Sequence, residues 1–204
     1  MTTREGDWMT TFTGRQFWPI DPRPEDICLE DIAHSLARQC RFAGHTRHFY
    51  SVAQHSVMVS RLVDRYLPES ATAQSPKFKR ALELAGLLHD ATEAYLVDVP
   101  RPVKHMLLGY KEIEQRLHSV IFEWAGLPEW TEALPDIVKI VDRRLLLTEI
   151  RLFMPKFPDQ SVDGDIADGF DIHFDPLLPA AAEGEFMSRA KDLFTGRTTV
   201  VGSL

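Results

Sequence analysis

From residue 29 onward, apolar residues recur every three or four positions, and glycines or prolines close most of these segments. That spacing lines up one face of an α-helix and neither face of a strand. Ile32, Leu36 and Cys40 predict a short helix over about 30–40, broken by Gly44. Val52, Val59, Leu62, Val63 and Tyr66 predict a longer one over about 49–66, stopped by Pro68. Ala81, Leu82, Ala85, Leu88 and Ala91 predict a buried helix over about 77–94, ended by Pro100 and Pro102. Ile113, Leu117, Val120, Ile121 and Trp124 predict one over about 110–125, before Gly126 and Pro128. Ile137, Val141, Leu145, Thr148 and Leu152 predict another over about 136–153, and a last helix falls over about 180–194. With no run of strands, the class is all-α.

The first 28 residues read differently. Trp8–Phe12 and Arg15–Trp18 carry β-type residues around Gly14, which predicts a short hairpin. Pro19, Pro22 and Pro24 then oppose regular structure. Residues 1–28 are therefore expected to pack as an extension on a single helical domain over 29–204. Residues 69–76 read as a surface loop, and residues 155–176 as an irregular acidic one.

Several function classes fall away on composition. The net charge of −7 argues against a broad basic surface for polymeric nucleic acid, although a small nucleotide needs only a few local cations. No stretch approaches the ~18 apolar residues of a membrane helix, and the N-terminus carries both charge signs and no apolar run. Two cysteines, Cys28 and Cys40, cannot build a disulfide framework, so a cytoplasmic setting is expected.

Four residues carry the chemistry. His55 lies among Val52 and Val59, His89-Asp90 follows the uncharged run Ala85-Gly86-Leu87-Leu88, and Asp142 closes Ile137-Val138-Lys139-Ile140-Val141. A buried carboxylate without a partner costs several kcal/mol, and a divalent cation compensates it. Taken singly, each residue would be an ordinary hydrogen-bonded one. Three helices each bringing a ligand-type side chain inward point instead to a mixed N/O site. Such a site suits Zn, Mn, Fe, Co or Ni rather than Ca.

The order His55, His89-Asp90, Asp142 resembles the H…HD…D signature of the HD-domain metal-dependent phosphohydrolases. The local context resembles their 5′-deoxynucleotidase-like members in Val52-Ala53-Gln54-His55-Ser56, in Leu87-Leu88-His89-Asp90-Ala91-Thr92-Glu93 and in Asp98-Val99-Pro100-Arg101-Pro102-Val103-Lys104. The match spans about 41–150. The resemblance implies an all-helical fold holding one divalent metal on His55, His89, Asp90 and Asp142, and hydrolysis of a nucleotide phosphate ester by a water that the metal acidifies. It also implies a catalytic role for Glu93, which can orient or deprotonate the water or pass a proton to the leaving alkoxide.

Arg41 and Phe42 align with an Arg-aromatic pair that contacts substrate in those enzymes, and Phe42 stands where they carry Trp. Lys104 matches a phosphate-binding lysine and Asp98 an acidic residue near the sugar. The expected substrate is a small nucleotide, a deoxynucleoside 5′-monophosphate before a triphosphate, because the local cations are few (Arg41, Arg47, Arg101, Lys104, Lys111). A non-catalytic nucleotide sensor is the reading from a different class, and the presence of all four ligand positions plus Glu93 argues against it. Family members are often dimers. Leu145-Leu146-Leu147 with Trp124 and Trp130 is the candidate homodimer surface.

Overall fold

A computed structural model describes residues 3–67, 75–156, 160–161 and 164–194. It opens with β1 (Met9–Thr10) and β2 (Gln16–Phe17), antiparallel with Met9 opposite Phe17 and Thr10 opposite Gln16. Helices follow: α1 (Leu29–Arg38), α2 (Val52–Arg65), α3 (Pro76–Leu88), α4 (Glu93–Leu96), α5 (Arg101–Lys104), α6 (Tyr110–Trp124), α7 (Asp136–Phe153) and α8 (Pro179–Phe194). The predominantly all-α architecture is the one the periodicity predicts.

Local chemistry fixes several helix starts. The Ser51 hydroxyl accepts from the Gln54 amide at the head of α2, and the Ser75 hydroxyl accepts from the Phe78 amide at the head of α3. Each satisfies an amide that the first turn leaves without a backbone partner. Pro76 then sits at the first position of α3, where its missing N–H costs nothing.

α2 is the centre of the molecule. It packs against α1, α3, α7 and α8, and most of its residues from Val52 to Val63 are buried. A helix covered on so many sides can carry a fully buried polar side chain, and α2 carries His55. The crossing of α2 with α3 is close at Gly86, where a Cβ would lie 3.1 Å from the Ser60 Cα and 3.3 Å from the Ser60 nitrogen. Gly86→Val should therefore destabilise the fold by about 1–3 kcal/mol through overpacking, read as a lower urea midpoint at unchanged slope.

The structure departs from the sequence reading at the end of α3. A single helix over 77–94 is expected, but α3 stops at Leu88 and the chain turns through 89–92 before α4. The turn is tightened by i→i+3 bonds, Ala91 N–H to Leu88 O at 3.0 Å and Glu93 N–H to Asp90 O at 3.0 Å. The His89 ring donates through Nδ1 to the Gly86 carbonyl at 2.8 Å, taking up a carbonyl of the last turn. No Gly or Pro marks this break, so periodicity runs straight through it. His89 and Asp90 thus sit in a turn, not inside a helix.

The N-terminal segment is pinned to the helices. Phe17 is fully buried and its ring stacks on Tyr95 of α4 at 3.9 Å. The Arg4 guanidinium makes two 2.8 Å bonds to Asp26, and Asp31 of α1 accepts from the Thr13 amide at 2.7 Å and hydroxyl at 3.0 Å. In the acidic stretch 155–176, expected to be irregular, Gln160–Ser161 pairs with Gly164–Asp165 and a 3₁₀ turn covers Ile166–Asp168. Residues 157–159 and 162–163 lie outside the described residues, as does most of the loop predicted over 69–76.

Of the candidate homodimer surface, the structure shows only where the side chains lie. Leu145 and Leu147 are buried within the fold, and Trp124 and Trp130 pack against its core. Leu146, between Leu145 and Leu147, is partly exposed. No helix among the described residues is long and apolar enough to cross a membrane.

Candidate metal centre

His55, His89, Asp90 and Asp142 meet, as the sequence predicts. α2 brings His55, the turn after α3 brings His89 and Asp90, and α7 brings Asp142. His55 Nε2 lies 3.2 Å from His89 Nε2, 3.6 Å from Asp90 Oδ2 and 3.1 Å from Asp142 Oδ1. His89 Nε2 lies 3.2 Å from Asp90 Oδ2 and 3.8 Å from Asp142 Oδ1. The two imidazoles are buried, whereas the Asp90 and Asp142 side chains are partly exposed, so the cluster opens on its carboxylate side.

The chemistry of these donors fits a cation. His55 Nδ1 faces the Glu149 carboxylate, and His89 Nδ1 faces the Gly86 carbonyl; both partners can only accept, so both Nδ1 atoms donate. In the neutral rings each Nε2 then presents a lone pair. Two nitrogen and two carboxylate lone pairs converge with no donor among them. Separations of 3.1–3.8 Å suit atoms surrounding a first-row ion about 2.1 Å from each. His55, His89 and Asp90 form the group able to hold a metal ion, and Asp142 Oδ1 lies beside it, near both imidazoles.

Protons report the same demand for positive charge. Burial by itself would lower the pKa of both imidazoles. Asp90 and Asp142 reverse this at His89, which rises well above the usual value, and Glu149 and Asp142 reverse it at His55. Burial would likewise raise the aspartates, but His89 and His55 hold Asp90 down at about 2 and Asp142 well below the carboxylate range.

Sequence reasoning missed the layer behind the ligands. Glu149 is completely buried on α7, and its carboxylate accepts from His55 Nδ1 at 2.6 Å, the Tyr50 hydroxyl at 2.6 Å and Arg41 Nε at 3.2 Å. Burial would raise its pKa, yet Arg41 and His55 keep it low. A signal was present: Glu149 follows Asp142 by two helical turns and so lies on the same face of α7.

Arg41 is built into this layer, with Nη1 also 3.5 Å from Asp90 Oδ2. Burial favours its neutral form, but Glu149 and Asp90 hold it charged. Its guanidinium lies 5.6 Å from the centroid of the Phe42 ring. Phe42, Ala43 and Gly44 follow one another at φ 57°, 51° and 79°, all in the left-handed region. Such a conformation costs each non-glycine residue on the order of 1–3 kcal/mol and clusters where geometry serves a site. His45 and His48 sit in the exposed part of this loop, apart from the ligand set.

Glu93 is buried at the start of α4, and its Oε2 has no hydrogen-bond partner. Burial raises its pKa well above the usual value, and Asp90 and Asp98 raise it further. Asp98 is itself raised, by burial and then by Asp90 against the opposing pull of Arg41. The Asp98 amide donates to Gln39 Oε1 at 3.0 Å, while Gln39 Nε2 donates to the Glu93 carbonyl at 2.9 Å, so one side chain ties the two acids together. Just before Asp98, Val97 adopts φ 71° and ψ 151°, a conformation almost reserved for glycine. Lys104, expected on phosphate, is ion-paired with Glu114 and lies 5.4 Å from the Tyr110 ring centroid, close enough to act on Glu93 and Asp98.

Fold and site together define an all-α protein with a His-His-Asp group, its imidazoles buried and its carboxylate partly exposed, that can hold a metal ion. No family model matches the chain. It is 37% identical over 194 residues to YfdR of Escherichia coli K12, described as an uncharacterized protein, covering 91% of this chain and 95% of that one. The chain therefore belongs to the YfdR family. An uncharacterized protein of Rhodobacter capsulatus is 40% identical over 124 residues, 59% of each chain.

Proposed function

We propose that the chain is a metal-dependent phosphohydrolase acting on a small nucleotide, first of all a deoxynucleoside 5′-monophosphate. The observation that carries this is the approach of His55 Nε2, His89 Nε2, Asp90 Oδ2 and Asp142 Oδ1 to one another beside Glu93, a buried acid with an unpartnered oxygen. His55, His89, Asp90 and Asp142 would hold the ion. When bound, a divalent first-row ion supplies Lewis acidity to a phosphoryl oxygen and lowers the pKa of a water towards neutrality.

The chain's own residues supply the rest. The raised pKa of Glu93 favours a proton on its carboxyl, which suits donation to the leaving 5′ oxygen as the P–O bond breaks. Asp98, tied to Glu93 through Gln39, is placed to accept from a sugar hydroxyl. Arg41 holds Asp90 and Glu149 in register and contributes positive charge at the phosphate end. The resemblance of residues 41–150 to the HD-domain phosphohydrolases supports the nucleotide as substrate. Arg41 and Lys104 are each already engaged by carboxylates, a supply of charge that suits one phosphoryl group better than three.

A panel of nucleoside mono- and triphosphates, assayed with added Co, Mn, Zn, Fe or Ni, tests the reading. Free phosphate from deoxynucleoside monophosphates is the expected product. Intact triphosphate released from deoxynucleoside triphosphates, with no turnover of monophosphates, would replace the substrate assignment. Purified protein that holds no transition metal and releases phosphate from no nucleotide would sink the enzyme reading.

A further inference from the structure

The network behind His55 reaches beyond the four ligands. Glu149 has no exposed surface, and three donors from three parts of the chain converge on it: His55 from α2, Tyr50 from the residues before α2, and Arg41 from the loop before that. A buried carboxylate that merely balanced Arg41 would need neither the imidazole nor the phenol. We propose that Glu149 is a positioning residue for the metal centre: it fixes the His55 proton on Nδ1 and so turns the Nε2 lone pair toward the site, with Tyr50 holding the carboxylate in place. This rests on the metal-centre reading above and deepens it.

The physical argument runs through the ring's two nitrogens. A neutral imidazole carries one proton and can present a lone pair on only one side. With a carboxylate at 2.6 Å from Nδ1, a lone pair there would face the carboxylate lone pairs, so the proton is held on Nδ1. The neutral ring is then unable to offer Nε2 as a donor to His89, 3.2 Å away, and in the neutral pair both Nε2 atoms are acceptors for a shared cation. A carboxylate behind a ligating imidazole also makes it more basic, and loss of such a partner typically costs 10–100-fold in metal affinity.

α7 thereby serves twice. Asp142 approaches the cluster directly, and Glu149, two turns on, approaches it through His55. His89 has only a backbone carbonyl behind Nδ1, so the two imidazoles differ in kind, one backed by a full negative charge and one by a neutral acceptor. The tautomer lock on His55 is consequently the one that a side-chain substitution can remove.

The test is competition of the purified protein against a chromophoric chelator for Co(II) and Zn(II), on wild type, Glu149→Gln and Tyr50→Phe. Glu183→Gln, which removes a surface partner of His34 and Arg38, is the control. The expected result is about one bound ion for wild type, unchanged affinity for the control and a 10–100-fold loss for Glu149→Gln. Circular dichroism verifies folding. If Glu149→Gln does not fold, Tyr50→Phe carries the test, with a severalfold loss expected.

Unchanged affinity in the folded Glu149→Gln protein, or in Tyr50→Phe when it carries the test, overturns the proposal while leaving the metal centre standing. Nitrogen-15 histidine spectra of the metal-free wild type separate the two failures. A proton on His55 Nδ1 that moves or exchanges between nitrogens in the variant supports the lock even if nucleotide turnover is never found. A neutral His55 ring with its proton on Nε2 and none on Nδ1 in the wild type overturns the lock directly.

Discussion

Asp142→Ala should abolish phosphate release and strip the protein of its metal while the fold survives. The carboxylate meets both imidazoles, at 3.1 Å from His55 Nε2 and 3.8 Å from His89 Nε2, so its removal takes away a ligand and opens the group on one side. Several kcal/mol of charge stabilisation leave together, which is a loss of at least about 10³-fold in turnover. Because the Asp142 side chain is partly exposed, truncation leaves no closed cavity, and the circular dichroism spectrum should match wild type. His89→Ala should lose metal and turnover equally, with an added stability cost because that side chain is buried. Metal analysis after dialysis, beside a phosphate assay, checks both. A variant that keeps stoichiometric metal would remove Asp142 from the ligand set.

Glu93→Gln should separate binding from turnover. The amide keeps the volume and loses the transferable proton, so the rate should fall by about 10²–10⁴-fold with metal retained. A rate within severalfold of wild type would remove Glu93 from the reaction. The substitution should also stabilise the protein on the alkaline side. Burial, with Asp90 and Asp98 nearby, raises the folded-state pKa of Glu93 well above 4.5, so between that value and the folded pKa the native state holds a proton that the unfolded chain has lost. Wild-type stability therefore falls as pH rises through this window, and glutamine removes the dependence. Thermal melts of metal-free protein should show Glu93→Gln above wild type at pH 8, with the gap closing by pH 4. The raised acid would then be a case of activity maintained against stability.

The helices were legible because their buried residues repeat at 3.6-residue spacing: Val52, Val59, Leu62 and Val63 line α2, and Leu117 and Ile121 line α6. The meeting of His55, His89, Asp90 and Asp142 was legible because His and Asp stand out within apolar runs. The turn at 89–92 was not, since it depends on the His89 ring reaching the Gly86 carbonyl, a contact that leaves no mark in hydrophobic periodicity. Nor were Tyr50 and Arg41 as partners of Glu149, because their convergence joins parts of the chain about a hundred residues apart. The helix predicted over 77–94 would have carried Glu93 in line with His89 and Asp90, whereas a tight turn intervenes.

The stacking of Phe17 on Tyr95 has a consequence for how the molecule comes together. The hairpin leaves the ribosome before the helices, yet its docking partner belongs to α4, the short helix that also begins with Glu93. His55 likewise waits for Glu149, and α2 for α8 near the end of the described chain. Pairings of such long sequence separation pay their loop-closure entropy before they are rewarded, which slows folding. The cluster of His55, His89, Asp90 and Asp142, with Glu149 behind it, is therefore a late product of the folding chain.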